Sequence, residues 1–435
     1  MVNKKHLIVV SVDAMVYEDL EFVKDLPMFG KFLKEGSLVE RVRTLYPSLT
    51  HPVHATIMSG CPASVTGIIN NTCFQPGVLD TRWYNHMQEM NCETIFHAAH
   101  RAELTTAAIC WPLTANAGEE IDYLIPCVME LDTVGYEDEP IQVYRNLGVG
   151  ENIIDIVEEG KKRYGYSLGH PDIDNFLMYC TVEIFRRYKP NVLFTHPCHV
   201  DGARHRTGVF SEEVKIALRE VDEWLALLWD EVVESGLENE TDIIILSDHG
   251  QMGITRTICP NVFLKDAGYI KTDAENKLIH WDAYATSGGL SAQVYLARPE
   301  DEKLYQEVKA LLEDMAREQI YGFERVFTRE EVKNRYDLDG EFSFVLETDG
   351  FTSFSDDWVR PAVRPLDISD YRFGRATHGH MPEKGPQPIM IGFGPSIKKG
   401  MIIPEGHILD QAVTFAKILG IELPMAQGKV VDFIN

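Results

Sequence analysis

Short apolar runs alternate with longer amphipathic stretches along most of this chain. The runs are rich in β-branched residues and end at a polar or small residue, which is typical of buried parallel strands. They lie at residues 6–12, 105–110, 191–196, 241–247 and 388–393. Stretches with helical character lie at residues 27–36, 171–188, 211–235 and 408–419. Strands that alternate with helices predict an α/β fold, a three-layer α/β/α sandwich around a mostly parallel central sheet.

The region from 276 to 375 departs from this alternation. It contains the strand-like run SAQVYLARP and helical patterns at 301–317 and near 329–335, followed by aromatic, acidic and glycine-containing segments. At 435 residues, the chain also exceeds the roughly 250–300 residues at which one hydrophobic core stops growing. We therefore expect an α/β core at residues 1–275 and 376–435, interrupted by an inserted α+β cap at 276–375.

Composition limits the classes of partner. The chain has 41 Lys and Arg residues against 67 Asp and Glu residues, a formal net charge of −26. A field of this sign repels polyanions, so neither a nucleic acid polymer nor an anionic membrane surface is an expected partner. A small anionic substrate would have to be attracted locally, and bound metal ions are a suitable source of local positive charge.

The cysteines and the start of the chain bear on its compartment. The apolar run at 6–12 is broken by Asp13, and it is too short for a signal peptide or a membrane span. Eight cysteines are scattered singly without a CxxC pair, which favours neither a disulfide framework nor a zinc knuckle. We therefore expect a cytoplasmic protein with reduced thiols.

Five short motifs carry residues suited to metal chemistry. Two of them directly follow strand-like runs and a third follows one by a few residues, and the carboxyl ends of parallel strands meet at one edge of a sheet. Three carboxylates, three imidazoles and one hydroxyl are the ligands that two adjacent divalent metals would need around a threonine nucleophile. The candidate residues are Asp13, Thr50, Asp201, His205, Asp248, His249 and His378.

Some of these residues have ordinary structural interpretations as well. Thr50 opens a predicted helix, where threonine is usually an N-cap, although a helix N-terminus also favours an alkoxide. Asp201 and His205 face one way only if their segment is helical; otherwise they lie in a solvated turn. In ATHGH, chemistry alone leaves both His378 and His380 open as the metal ligand.

Six segments of the chain occur in the order SVDAM, YPSLTHPVHATIMSG, GIINN, DGARH, LSDHGQ and THGH. In sequence and in order they resemble the alkaline phosphatase superfamily, most closely its type I phosphodiesterase and nucleotide pyrophosphatase family. The resemblance implies two metal ions, zinc by preference with manganese or iron as alternatives. It implies two sets of ligands, which are Asp201, His205 and His378 for one ion and Asp13, Asp248, His249 and Thr50 for the other. It also implies hydrolysis of phosphodiester or pyrophosphate bonds in small, nucleotide-like substrates through a phosphothreonine intermediate.

One position departs from the family pattern. The family's phosphodiesterases usually carry Thr-x-Pro-Asn, whose asparagine donates a hydrogen bond to a phosphate oxygen, and this chain has Val53 there. Hydrolysis of phosphonates or phosphomonoesters on the same fold is therefore an alternative, and a metal-binding homologue without catalysis is a further one. Candidates for a replacement donor are His51, His54, Asn70, Asn71 and His199.

Overall fold

The computed structural model describes residues 5–128 and 139–435. The strands are β1 (His6–Ser11), β2 (Ser37–Arg43), β3 (Thr106–Ile109), β4 (Tyr123–Ile125), β5 (Val192–Thr195), β6 (Thr241–Leu246), β7 (Met252–Gly253), β8 (Arg256–Ile258), β9 (Ile270–Thr272), β10 (Leu278–Trp281), β11 (Ala283–Gly288), β12 (Ser291–Leu296), β13 (Phe323–Thr328), β14 (Phe344–Thr348), β15 (Thr352–Phe354), β16 (Val363–Arg364), β17 (Ala376–Thr377), β18 (Met390–Phe393) and β19 (Ile402–His407). The helices are α1 (Leu20–Val23), α2 (Pro27–Glu35), α3 (Thr50–Ser59), α4 (Ala63–Thr66), α5 (Ile95–Arg101), α6 (Pro140–Asn146), α7 (Ile154–Tyr164), α8 (Asp172–Tyr188), α9 (His199–Thr207), α10 (Glu212–Glu234), α11 (Pro260–Asp266), α12 (Glu302–Glu318), α13 (Arg329–Tyr336) and α14 (Asp410–Leu419).

The largest sheet has eight strands in the order β19-β2-β18-β6-β1-β5-β3-β4. The central strand β1 pairs in parallel with β5 and with β6. Only β18 runs against its neighbours, since it pairs antiparallel with both β6 and β2. The predicted α/β fold with a mostly parallel central sheet is confirmed.

The sheet is buried on both faces, which explains why its strands are apolar throughout. Along β1, Leu7 and Val9 pack into one hydrophobic cluster, whereas Ile8 and Val10 pack into another on the opposite face. Helices α3, α5 and α14 contribute side chains to the first cluster, and α2, α7, α8 and α10 contribute to the second. These helices form the two outer layers of the sandwich.

The region after α11 forms a second large sheet. Four strands in the order β11-β12-β14-β13 pair antiparallel throughout. Val308 and Leu312 of helix α12 belong to a separate hydrophobic cluster together with Ala292 and Val294 of β12. The division of the chain at residues 276 and 375 into core and cap stays a prediction.

Among the described residues, no helix has both the length and the apolar character that a membrane crossing requires.

Candidate active site

The ends of two neighbouring strands bring three of the candidate residues together. Asp13 lies just beyond β1, and Asp248 and His249 lie just beyond β6. Because β1 and β6 are adjacent and parallel, their carboxyl ends leave the sheet at the same edge. The backbone N–H of Ala14 donates to Asp248 Oδ1 over 3.2 Å, which fixes the two loops to each other.

Asp201 and His205 lie on helix α9 and not in a solvated turn. Their spacing of four residues places both side chains on one face of the helix, with His205 Nε2 3.1 Å from Asp201 Oδ2. The Nδ1–H of His205 donates to the carbonyl of Ala376 over 2.7 Å, which leaves Nε2 for a ligand. Gln251 donates from Nε2 to Asp201 Oδ1 over 2.5 Å and orients that carboxylate.

Thr50 is the first residue of α3, and its hydroxyl faces the Asp13 side of the site. Its Oγ1 lies 3.1 Å from His249 Nε2, and His249 Nε2 lies 3.1 Å from Asp248 Oδ2 and 3.7 Å from Asp13 Oδ1. The N-terminus of a ten-residue helix favours negative charge at this hydroxyl.

His378, and not His380, joins the other candidate residues. Its Nδ1–H donates to the carbonyl of Ser48 over 3.0 Å. Its ring stacks on His249, with centroids 3.8 Å apart, and lies 5.4 Å from the ring of His205. The seven side chains therefore converge although they are spread from position 13 to position 378.

Six of the seven side chains, all except that of Thr50, separate into two groups whose chemistry fits divalent metal ions. In each group, one ligand atom from each of three residues lies within 4.8 Å of the others, and the groups are Asp201, His205 and His378, and Asp13, Asp248 and His249. Several of these atoms are buried without a hydrogen bond, namely Asp13 Oδ1, Asp248 Oδ2 and His205 Nε2. Buried polar atoms are nearly always satisfied, so unsatisfied carboxylate and imidazole atoms that face one another indicate a cation site.

The electrostatics of the cluster also suit a cation. Burial, and then the neighbouring Asp248, raise the pKa of Asp13 well above its ordinary value, and burial raises the pKa of Asp248 to about 7. Burial lowers the pKa of His249 well below its ordinary value and that of His378 to about 4. Both rings are therefore neutral at pH 7, and a divalent ion would stabilise the crowded carboxylates beside them.

A cavity of about 410 Å³ opens beside Thr50, Asp13, Asp201, His205 and His378. Asp248 and His249 are fully buried behind it.

The structure shows where the side chain faces at position 53, at which this chain has valine in place of the family's asparagine. Val53 is fully buried in the hydrophobic cluster under the sheet, so its side chain faces the core. Asn71 lines the cavity next to Thr50, and its Oδ1 accepts a hydrogen bond of 2.9 Å from the backbone N–H of His51. This bond occupies the amide oxygen, so Nδ2–H₂ is the group of Asn71 that could donate to a ligand in the cavity.

The other candidate donors are less well placed. Asn70 donates to the carbonyl of Ser287 over 3.1 Å. His54 Nδ1 bonds to the carbonyl of Thr50 over 2.8 Å, and His199 Nδ1 lies 2.5 Å from Glu220. His51 also lines the cavity, and burial lowers its pKa to about 3, so its ring is neutral and keeps a single N–H donor. Of the two candidate amides, Asn71 is therefore the one that lines the cavity with Thr50.

Sequence reasoning missed two residues of the site. His196 directly follows β5, and its Nε2 lies 3.1 Å from Asp13 Oδ2. Its signal was present, because it is a polar residue at the end of a buried strand, as Asp13 is. Gln251 had no such signal, since its bond to Asp201 depends on how α9 packs beside the loop after β6.

Residues 7–365 match the sequence profile of type I phosphodiesterase / nucleotide pyrophosphatase. The chain belongs to this family. The membership confirms the resemblance carried by the motifs, and the family is one of hydrolytic enzymes.

Curated relatives match part of the chain. Ectonucleotide pyrophosphatase/phosphodiesterase family member 1 of Mus musculus is 22% identical over 255 residues, which is 57% of this chain and 24% of that protein. An uncharacterized pyrophosphatase/phosphodiesterase of Schizosaccharomyces pombe is 28% identical over 213 residues, 47% of this chain and 36% of that protein. The matches span about a quarter to a third of these relatives' lengths. The expected cytoplasmic location stays a prediction.

Solved structures share the fold. The inactive form of murine ectonucleotide pyrophosphatase/phosphodiesterase 5 in complex with AMP superposes with a TM-score of 0.68 at 19% identity, covering 99% of this chain and 100% of that one. The human protein of the same name gives a TM-score of 0.66 at 18% identity, covering the same shares of the two chains. At this identity the likeness establishes the alkaline-phosphatase-like architecture.

Proposed function

We propose that this chain is a metal-dependent phosphohydrolase that cleaves phosphodiester or pyrophosphate bonds in small, nucleotide-like substrates through a phosphothreonine intermediate. The observation that carries the proposal is the convergence of two ligand groups at one hydroxyl, with Thr50 Oγ1 3.1 Å from His249 Nε2. The AMP held by the murine relative supports nucleotide-like substrates.

The residues that would hold two zinc ions fall into two sets, which are Asp201, His205 and His378, and Asp13, Asp248, His249 and Thr50. When bound, such ions supply Lewis acidity, which offsets the charge of the phosphate and favours the deprotonated form of the threonine hydroxyl.

The chain's own residues account for the remaining requirements. Thr50 Oγ1 forms a bond to phosphorus, the bond from phosphorus to the leaving oxygen breaks, and that oxygen takes up a proton. Water then forms a new bond to phosphorus, the bond to Oγ1 breaks, and the Thr50 hydroxyl is restored. Positioning and charge stabilisation carry most of such a reaction, so no separate carboxylate acid–base pair is required.

Asn71 is the residue we assign to the phosphate oxygens. It lines the cavity beside Thr50, where an amide N–H donor would stabilise the charge that develops in the transition state. This assignment replaces the donor that the family pattern would place at position 53.

The test is hydrolysis of bis-p-nitrophenyl phosphate and of p-nitrophenyl phosphate by chelator-stripped protein that has been reloaded with zinc. We expect the diester to be preferred, and we expect Thr50→Ala to abolish turnover while it retains bound zinc. Full activity in Thr50→Ala would refute the nucleophile. Preference for the monoester would transfer the protein to the phosphatase alternative, and absence of turnover on both esters would contradict the proposed diesterase.

A further inference from the structure

A basic side chain outside the seven candidate residues faces the same cavity. Arg206 follows His205 on α9, and it is the only lysine or arginine among the described residues that line the 410 Å³ cavity beside Thr50. His170, which lies just before α8, lines the cavity next to it. A cation in this position is notable in a chain of net charge −26.

Gly202 leaves the space in which these two side chains meet. A Cβ atom added to Gly202 would lie 3.3 Å from Arg206 Nη1, 3.3 Å from His170 Nε2 and 2.8 Å from His170 Cδ2. Both nitrogens therefore lie close to one point on the surface of α9. Gly202 is adjacent to Asp201, so this point is on the Asp201 side of the candidate metal site.

Arg206 has no counter-ion among the described residues. No carboxylate oxygen in the described ranges lies within 4.0 Å of its guanidinium. Glu213 and Glu220 line a surface groove on its other side but are beyond ion-pair distance. An arginine that faces a cavity without a carboxylate partner has its planar set of donors available for an anion.

His170 is held in place by a buried carboxylate. Its Nδ1 lies 2.5 Å from Asp174 Oδ2, and Asp174 Oδ1 also accepts from the backbone N–H groups of Cys198 and His199 over 2.7 and 3.1 Å. The His170 ring therefore has a fixed orientation, with Nε2 directed toward Gly202. Burial alone would lower the pKa of His170, but Asp174 raises it above its ordinary value.

We propose that Arg206 and His170 form a subsite that binds a second anionic group, a carboxylate or a phosphate, on the part of the substrate that lies on the Asp201 side of phosphorus. Thr50 contacts His249 of the other ligand group, so in-line attack by Thr50 makes this part the leaving group. The inference rests on the proposed function for that last step only. The hydrolytic mechanism described above uses neither residue.

The experiment measures binding to zinc-loaded Thr50→Ala protein, so that turnover plays no part. The probes are phosphonates of matched length: 3-phosphonopropionate and propane-1,3-bisphosphonate carry a second anion, and propylphosphonate lacks it. Each is titrated into protein with unchanged Arg206 and His170, into the Arg206→Met, Arg206→Lys and His170→Gln variants, and into Arg219→Met as a control. Arg219 is an exposed arginine on α10 that lies outside the cavity. Zinc content is measured after each titration, because bisphosphonates chelate metal.

We expect Arg206→Met to weaken binding of the two probes that carry a second anionic group by about tenfold, the lower end for a charge-assisted hydrogen bond. Propylphosphonate binding should change by less than about twofold, which also shows that the variant is folded. Arg206→Lys should lose less than Arg206→Met, His170→Gln should follow the same pattern, and Arg219→Met should change neither class of probe. If Arg206→Met weakens the binding of only one of these two probes, the second anionic group of that probe shows whether the subsite takes a carboxylate or a phosphate.

The proposal is overturned if Arg206→Met weakens all three probes equally, since Arg206 would then act on the phosphonate common to them, or if it weakens none. An equal loss in Arg219→Met would also overturn it, because the effect would then be the general field of the protein. A protein that hydrolyses neither nitrophenyl ester but shows the Arg206-dependent discrimination contradicts the proposed function and keeps the subsite. Hydrolysis of a nitrophenyl ester without Arg206-dependent discrimination between the probes contradicts the subsite and keeps the proposed function.

Discussion

The two large sheets of this protein contribute to the candidate site in different ways. The eight-stranded sheet supplies side chains, since Asp13 follows β1 and Asp248 with His249 follows β6. The four-stranded sheet carries none of the seven candidate residues. Its β11–β12 turn instead supports the backbone around His378, where the N–H of Leu290 donates to the His378 carbonyl over 2.8 Å. One sheet thus presents ligands, and the other positions a ligand that arrives from elsewhere.

Glycines make this support possible. A Cβ atom on Gly379 would lie 1.7 Å from the carbonyl oxygen of Gly288, and one on Gly289 would lie 2.3 Å from the carbonyl oxygen of His378. Gly379 also has a φ of +98°, which side-chain-bearing residues rarely adopt. The His378 segment and the β11–β12 turn therefore approach more closely than any residue with a side chain allows.

Metal removal should have the largest effect, and the two sheets should respond to it differently. Ligands bound to the native state stabilise it by about 4 kcal/mol at a thousandfold excess over Kd, so stripping zinc should abolish activity and lower the melting temperature. Amide exchange should accelerate around Asp13, α9 and Asp248 and stay unchanged in β12. Readdition of zinc is the control, and equal acceleration in both sheets would contradict the distinction.

Asn71→Ala should have the next largest effect. Loss of one transition-state donor lowers kcat by about 100- to 1000-fold, and zinc content should not change because Asn71 belongs to neither ligand group. Steady-state kinetics on the diester measure the effect.

Val53→Asn is the matched variant for that experiment. It places the family's asparagine in a fully buried apolar position, so it should destabilise the fold by about 1–3 kcal/mol and leave kcat no higher. A gain in kcat would show that position 53 reaches the substrate.

Gly379→Ala tests the supporting role of the four-stranded sheet. The added methyl group must push apart the Gly288 carbonyl and the backbone at 379, which displaces His378. Residues that orient metal ligands typically contribute about 10- to 100-fold to metal affinity, and we expect a loss in that range by competition with a chromogenic chelator. Unchanged zinc affinity would show that His378 is positioned independently of the turn.

Leu312→Ala should have the smallest effect on activity. Leu312 is buried between α12 and the four-stranded sheet, so the cavity should lower the free energy of unfolding by about 2–5 kcal/mol. The hydrophobic cluster of Leu312 contains none of the candidate ligands, so kcat per folded molecule should change by less than about twofold. Denaturant unfolding and active-site titration separate the two quantities, and a large drop in kcat would place α12 in the catalytic unit.

Much of the architecture was readable from the sequence because local patterns carry it. The apolar run at 241–247 became β6, and the helical stretches at 171–188 and 211–235 became α8 and α10. The rule that polar residues collect after buried strands placed Asp13 and Asp248 correctly at one edge. The same rule also covered His196, which was overlooked.

Other features required the fold. Residue chemistry left His378 and His380 open and the family resemblance favoured His378, whereas the fold shows His378 grouped with Asp201 and His205 and stacked on His249. Concern about Val53 rested on its place in a motif, whereas α3 directs that side chain into the core and leaves the cavity to Asn71. Spacing along the chain does not encode which way a side chain faces on a helix that contacts several partners. It also does not encode how distant loops align with one another.

The sequence by itself determined which chemical groups are present, the family, and the strands after which several of them stand. Tertiary structure alone decided which groups meet: His378 reaches Asp201 and His205 across 177 and 173 positions of chain, supported by a turn of another sheet. The physical reason is that periodicity and turn chemistry act over a few residues, whereas ligand distances depend on packing between elements that are far apart in sequence.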